Sequence, residues 1–212
     1  VAATQIHLVR HGEVYNPTGV LYGRLPGFHL SDLGRQMAQA AADELAGHPV
    51  TALFASPLLR AQESAEPWAK RFSLPIQTDD RLIEPTNKFE GGRYEFGPGI
   101  LLHPRVWPWV INPLKPSWGE PYAHVVRRMF AAIDDAWASV DTGDVVMVSH
   151  QMPIVMVQRS VNGLRSFHDP RARRCSLSSI TTLERRGDEF VEVGYADLSS
   201  DILAKAVDTG AV

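Results

Sequence analysis

The sequence predicts an α/β fold, a three-layer sandwich with a mainly parallel central sheet flanked by helices. Two observations predict it. Three short apolar runs, at Gln5 to Val9, Val50 to Ala55 and Asp144 to Ser149, read as buried strands. Each is followed by a segment with apolar residues at helical spacing, and strands alternating with helices build a parallel sheet covered on both faces. The chain has 212 residues, which suits one domain with a sizeable core. We expect a single domain over 1–212, with an irregular, lid-like insertion at about 87–119.

The elements follow in order. Ile6, Leu8 and Val9 mark a strand of about four or five residues, which Gly12 breaks. A Gly- and Pro-containing loop runs to His29. Ser31 is an expected N-cap, with Leu33, Met37, Ala40, Ala41 and Leu45 forming a helical stripe behind it. Gly47 and Pro49 end that helix. After the strand at Val50 to Ala55, Ser56-Pro57 reads as a helix start, with a capping hydroxyl and Pro at the first position. Pro67 is expected to kink or split this helix, and a short strand is expected at Pro75-Ile76.

Beyond Asn87 the pattern dissolves until Gly119. This stretch is too long for an ordinary connection, and its aromatics (Phe89, Tyr94, Phe96, Trp107, Trp109, Trp118) suit a packed lid. They could pack against a second copy, making a homodimer, or against the core. Glu120-Pro121 opens the clearest helix, with Val125, Val126, Met129, Phe130, Ile133 and Trp137 on one stripe. Pro153 begins another helix, and Ser176 to Leu183 and Glu189 to Val193 read as strands joined at Arg186-Gly187-Asp188.

Composition narrows the function classes. The net charge of −3 provides no global basic field for nucleic acid or anionic lipid. Cys175 is the single cysteine, so no intrachain disulfide and no cysteine-based zinc site can form. No apolar stretch is long enough for a transmembrane helix and no secretory leader pattern is visible, so neither nucleic acid nor membrane is an expected partner and the cytoplasm is the expected compartment.

Chemistry concentrates at strand ends. Arg10-His11-Gly12 closes the first strand and Ser149-His150 closes the one before the Pro153 helix. Ligands of open parallel sheets bind at such carboxyl ends. Arg60 lies about one turn into the helix after the strand that ends at Ala55. Two arginines and two histidines at one edge suit a phosphate pocket, because a guanidinium donates a planar fork of hydrogen bonds and keeps its charge. A neutral imidazole can attack phosphorus, and a carboxylic acid can protonate the leaving alkoxide. Glu84 is the best-placed carboxyl by context, although periodicity does not separate it from Glu90 or Glu95.

At these residues the chain resembles the histidine phosphatase superfamily, whose fold is phosphoglycerate-mutase-like. The matching pieces are Leu8-Val9-Arg10-His11-Gly12-Glu13, Leu30-Ser31-Asp32-Leu33-Gly34, Ser56-Pro57-Leu58-Leu59-Arg60-Ala61, Leu82-Ile83-Glu84, Gly119-Glu120 and Val148-Ser149-His150. The resemblance implies that His11 is the phosphorylated nucleophile. Arg10, Arg60 and His150 would hold the phosphoryl oxygens, and Glu84 would act as proton donor and then as base. Asn16 and Gly23 would contact substrate phosphate. No metal and no cofactor are implied.

The chain departs from the family pattern in three places. The loop from His11 to Asn16 is one residue shorter than the commonest form. Gln151 stands where Gly is usual and could contact substrate. The segment from Pro85 to Trp118 lacks the usual compact G-x-W-E-G continuation, with Glu90-Gly91-Gly92 a loose echo.

The expected function is therefore metal-independent hydrolysis of a small organic phosphate ester through phosphohistidine. The alternatives are a phosphoglycerate-type mutase and a non-catalytic phosphate-binding module. Lys88, Arg93, Arg105 and Lys115 are candidates to meet a second anionic group on the substrate.

Overall fold

The three apolar runs form the centre of one six-stranded sheet. A computed structural model describes residues 2–92, 119–169, 172–198 and 200–208. In chain order the elements are β1 (Gln5–Arg10), α1 (Asp32–Glu44), β2 (Val50–Ala55), α2 (Leu59–Phe72), β3 (Gln77–Thr78), α3 (Tyr122–Ala138), β4 (Asp144–Ser149), α4 (Gln151–Val161), β5 (Ile180–Arg186), β6 (Glu189–Ala196) and α5 (Ser200–Leu203). A 3-10 turn at Asp80–Leu82 follows β3. The strand order is β3-β2-β4-β1-β5-β6. β1, β2, β3 and β4 run parallel, and β5 is antiparallel to both its neighbours.

Alternation along the strands creates the three layers, because successive side chains point to opposite faces. Ile6, Leu8, Val145 and Met147 meet Val125, Met129 and Ile133 of α3 and Ile154 and Val155 of α4. Val9, Leu53, Ala55, Val146 and Val148 meet Ala41 and Ala42 of α1 and Ala61, Ala65 and Trp68 of α2. The small residues of α1 and α2 let these helices approach closely. No helix among the described residues is long and apolar enough to cross a membrane.

Several local expectations need correction. Ser31 does cap α1, accepting from the Gly34 N–H at 2.9 Å. Ser56-Pro57, however, does not open α2: the N-cap is Leu58, with no side-chain cap, and Ser56 serves the site instead. Pro67 does not split α2, which continues to Phe72. Proline removes one helical hydrogen bond, but the buried Ala65 and Trp68 on either side hold the helix against the sheet. The short strand is Gln77–Thr78, directly after Pro75-Ile76, and α4 begins at Gln151 with Pro153 inside its first turn. Asn87 and Gly119 pair across a β-bridge, which joins the two ends of the irregular segment. Arg93, Glu95, Arg105 and Lys115 lie outside the described residues, and Lys88 is exposed.

Candidate active site

The carboxyl ends of β1, β2 and β4 lie side by side, so the sheet itself gathers Arg10-His11, Ser56 and Ser149-His150. The His11 loop is then pressed onto α1. A Cβ on Gly12 would collide with the carbonyl of Gly34, and a Cβ on Gly34 would collide with that of Glu13. The Gly12 N–H donates to Ser64 Oγ at 3.0 Å, and that hydroxyl donates to the Arg60 carbonyl at 2.7 Å. These contacts lock the loop that carries His11 to the first turns of α1 and α2.

The same packing brings five side chains together. The ring of His11 donates through Nδ1 to the Gly12 carbonyl at 2.7 Å. Its Nε2 is therefore the lone-pair nitrogen, and Arg60 Nε donates to it at 3.4 Å. Arg60 also donates to the Gly23 carbonyl at 2.7 Å and lies over the Tyr22 ring. The rings of His11 and His150 are 5.2 Å apart. His150 Nε2 lies 2.7 Å from Ser56 Oγ, and its Nδ1 is 3.7 Å from Glu84 Oε2. Arg10 donates from one terminal nitrogen to the Cys175 carbonyl at 2.7 Å. Both its terminal nitrogens donate to the Asp208 carboxylate, at 2.8 and 2.6 Å.

Burial sets the protonation states. Arg10, His11, Arg60, Glu84 and His150 are all buried. Burial, then the charges of Arg60 and Arg10, hold His11 well below its ordinary pKa, so the imidazole is neutral. Burial and the charge of Arg60 do the same to His150. Burial pushes the Glu84 carboxyl above its usual range, opposed by Arg60, Arg10, Arg173 and Arg128. The Cys175 thiol is pushed up to about 11 by burial, which makes it a poor nucleophile.

Among the described residues, three buried polar atoms around this cluster find no hydrogen-bond partner: Arg10 Nε, Glu84 Oε1 and His150 Nδ1. Buried polar groups are nearly always satisfied, so unpaired ones at one place need an explanation. A tetrahedral oxyanion offers acceptors to the nitrogens, and an ester oxygen offers a partner to the carboxyl.

The other residues singled out in the sequence sit around this cluster. Gly23 contributes its carbonyl to Arg60. The Asn16 carboxamide braces its own loop, donating to the Val20 carbonyl at 2.9 Å and accepting from the Val20 N–H at 3.3 Å. Gln151 accepts from Arg173 at 3.1 Å and donates to the Cys175 carbonyl at 3.4 Å. Glu90 accepts from the Arg24 N–H at 3.0 Å.

Sequence reasoning missed Ser56 as the partner of His150, Tyr22 beneath Arg60, and Asp208 on Arg10. The Ser-Pro pair could have pointed to Ser56, had its strand-end position been weighed against capping. Nothing local marks Asp208, which is 198 residues from Arg10.

The family model for the histidine phosphatase superfamily (branch 1) matches residues 6–198. The chain is 51% identical over 193 residues to the uncharacterized protein Rv0525 of Mycobacterium tuberculosis, covering 91% of this chain and 96% of that protein. It is 31% identical to a probable phosphoglycerate mutase GpmB of Yersinia enterocolitica, covering 83% and 84%. Among solved structures, Bacillus stearothermophilus YhfR superposes with a TM-score of 0.77 at 24% identity, covering 92% and 98%. The mycobacterial glucosyl-3-phosphoglycerate phosphatase Rv2419c superposes at 0.66 with 24% identity, covering 85% and 89%. A sheet that gathers Arg10, His11, Arg60 and His150 at one edge, and a family model spanning nearly all of it, lead to one conclusion: this chain belongs to the histidine phosphatase superfamily.

Proposed function

We propose that the protein is a metal-independent phosphomonoesterase that hydrolyses small organic phosphates through a phosphohistidine at His11. One observation carries this reading. A neutral His11, with Nδ1 tied to Gly12, presents its Nε2 lone pair beside buried atoms of Arg10, His150 and Glu84 that have no partner among the described residues.

The chemistry follows from these groups. His11 Nε2 gives its electron pair to phosphorus while the bond from phosphorus to the ester oxygen breaks. The electrons of that bond stay with the leaving oxygen, which takes the Glu84 proton. Arg10, Arg60 and His150 donate to the equatorial oxygens, where charge accumulates during transfer. Water then attacks phosphohistidine, Glu84 accepts the proton from that water, and phosphate leaves with His11 neutral again. Burial supports both halves of the cycle, since it favours a protonated Glu84 and an uncharged His11 before attack.

The likeness to a probable phosphoglycerate mutase supports a second reading, in which the phosphoryl group returns to a substrate hydroxyl instead of passing to water. Both readings share the same first step. The test is hydrolysis of p-nitrophenyl phosphate in excess EDTA across about pH 4.5 to 8, with His11→Ala beside it. Turnover by the wild type alone supports the phosphatase. Turnover by both proteins contradicts the role of His11. Silence on this ester, with isomerisation of phosphoglycerates after priming by a bisphosphoglycerate, favours the mutase.

A further inference from the structure

A second cluster lies at the opposite end of the sheet, away from the phosphate pocket. His7 in β1, Asp144 at the start of β4 and His48 just before β2 converge on one oxygen. Asp144 Oδ2 is 2.9 Å from His48 Nδ1 and 3.2 Å from His7 Nε2. All three atoms lie within 4.8 Å of one another. A tetrahedral zinc ion, with bonds of about 2.0–2.1 Å, requires ligand atoms about 3.3 Å apart. Two of the three separations already lie near that value.

The surroundings suit ligation. His7 Nδ1 lies 3.0 Å from Thr182 Oγ1. Without a metal, His7 Nε2 donates to the Asp144 carboxylate and the Thr182 hydroxyl donates to Nδ1. With the ring proton shifted to Nδ1, the same hydroxyl would accept it and Nε2 would be free to ligate, the arrangement that outer partners impose on metal-bound histidines. His7 and Asp144 are buried, whereas the His48 side chain is 41% exposed, which gives a route in and room for water as a fourth ligand.

We propose that His7 Nε2, His48 Nδ1 and Asp144 Oδ2 form a site for a divalent transition-metal ion of the zinc type. Imidazole and carboxylate donors suit that class. When the ion binds, the protons that His48 Nδ1 and His7 Nε2 donate to Asp144 move to the other nitrogen of each ring or are released to water. The ion would clamp the entry points of three adjacent strands, so its effect is on stability and not on the phosphoryl chemistry. The site does not depend on the phosphatase reading.

The test is titration of metal-free protein with zinc chloride, followed by calorimetry and by thermal unfolding. One His48-dependent equivalent should bind and raise Tm. His48→Ala, a change at an exposed position, should weaken that binding by about 100-fold, and Thr182→Val by about tenfold. A wild type that binds no zinc, or a His48→Ala isotherm identical to the wild type, overturns the proposal.

A separate observation concerns the segment beyond α5. The Val207 N–H donates to Glu13 at 2.6 Å, which sets Asp208 against Arg10. The Asp208 carboxylate occupies both terminal nitrogens of Arg10 in the two-pronged geometry that a phosphate would use. Of the Arg10 nitrogens, Nε has no partner among the described residues.

We infer that Asp208 is a built-in competitor for the phosphate pocket, an inference that rests on the phosphatase reading. Inorganic phosphate is the probe, with binding measured by calorimetry for wild type and Asp208→Asn. The variant should bind phosphate about three- to tenfold tighter and show a lower KM for p-nitrophenyl phosphate, with a smaller change in kcat. Equal phosphate affinity in the two proteins overturns this inference alone. Absence of phosphate binding in both overturns the phosphatase reading and this inference with it.

Discussion

His11 Nδ1 lies 2.7 Å from the carbonyl oxygen of Gly12, and that contact decides which ring nitrogen can react. A carbonyl only accepts, so Nδ1 carries the proton and Nε2 carries the lone pair. Replacing His11 by Ala should reduce kcat by at least about 10⁴-fold, because the proposed reaction then loses its nucleophile. Steady-state turnover and a far-UV circular dichroism spectrum check the loss of activity and the retention of the fold.

Ser56 Oγ lies 2.7 Å from His150 Nε2, and Ser56 caps no helix. Ser56→Ala should therefore lower kcat by about tenfold through a misplaced His150, with little change in KM. Ser56→Thr, which keeps the hydroxyl, should recover part of the loss. A variant that merely unfolds would lose Tm together with kcat, so both are measured.

Burial raises the Glu84 carboxyl above its usual range, which favours the protonated form that an acid needs. Glu84→Gln should slow esters with poor leaving groups by about 10²- to 10⁴-fold, and p-nitrophenyl phosphate much less. Equal slowing of both esters would move the acid role to another carboxyl.

The same groups make stability depend on pH. Unfolded Glu84 ionises in the ordinary carboxylate range, while the folded carboxyl holds its proton to higher pH. Stability is therefore lost as pH rises through the folded pKa of Glu84. The glutamine cannot ionise, so Glu84→Gln should melt above wild type at about pH 7 to 8, with the gap closing near pH 4. His11 and His150 act in the opposite direction. Their depressed pKa values mean that the unfolded chain takes up protons below about pH 6.5 that the folded chain refuses, so both proteins lose stability as the pH falls below that value. Melting curves across this range test both signs.

Gly34 sits against the carbonyl of Glu13, with no room for a Cβ. Gly34→Ala should cost about 2–3 kcal/mol by forcing α1 away from the His11 loop. Denaturant unfolding measures this cost, and kcat should fall with it.

The central strands were legible because a short apolar run flanked by helical stripes has few other readings. Val50–Ala55 and Asp144–Ser149 match expectation residue for residue. The strand-end rule places Arg10, His11 and His150 at one edge, and Arg60 reaches the same edge from the first turn of the helix after β2. Ser56 was misread because a Ser-Pro pair fits a cap as well as a strand end, and only the neighbouring β4 supplies His150. Asn16 could not be resolved because its partner, the Val20 backbone, depends on how the loop turns. Asp208 was invisible for another reason: its contact with Arg10 depends on tertiary closure across nearly the whole chain.

The central claim is that the phosphoryl group passes through His11. Rapid acid-free quenching of the enzyme during turnover of a phosphate ester, followed by mass spectrometry of its peptides, tests this most directly. The account predicts one acid-labile, base-stable phosphate on the peptide that contains His11, absent from His11→Ala. Phosphate on a different residue, or sustained wild-type turnover with no phosphoenzyme and an active His11→Ala, would contradict it.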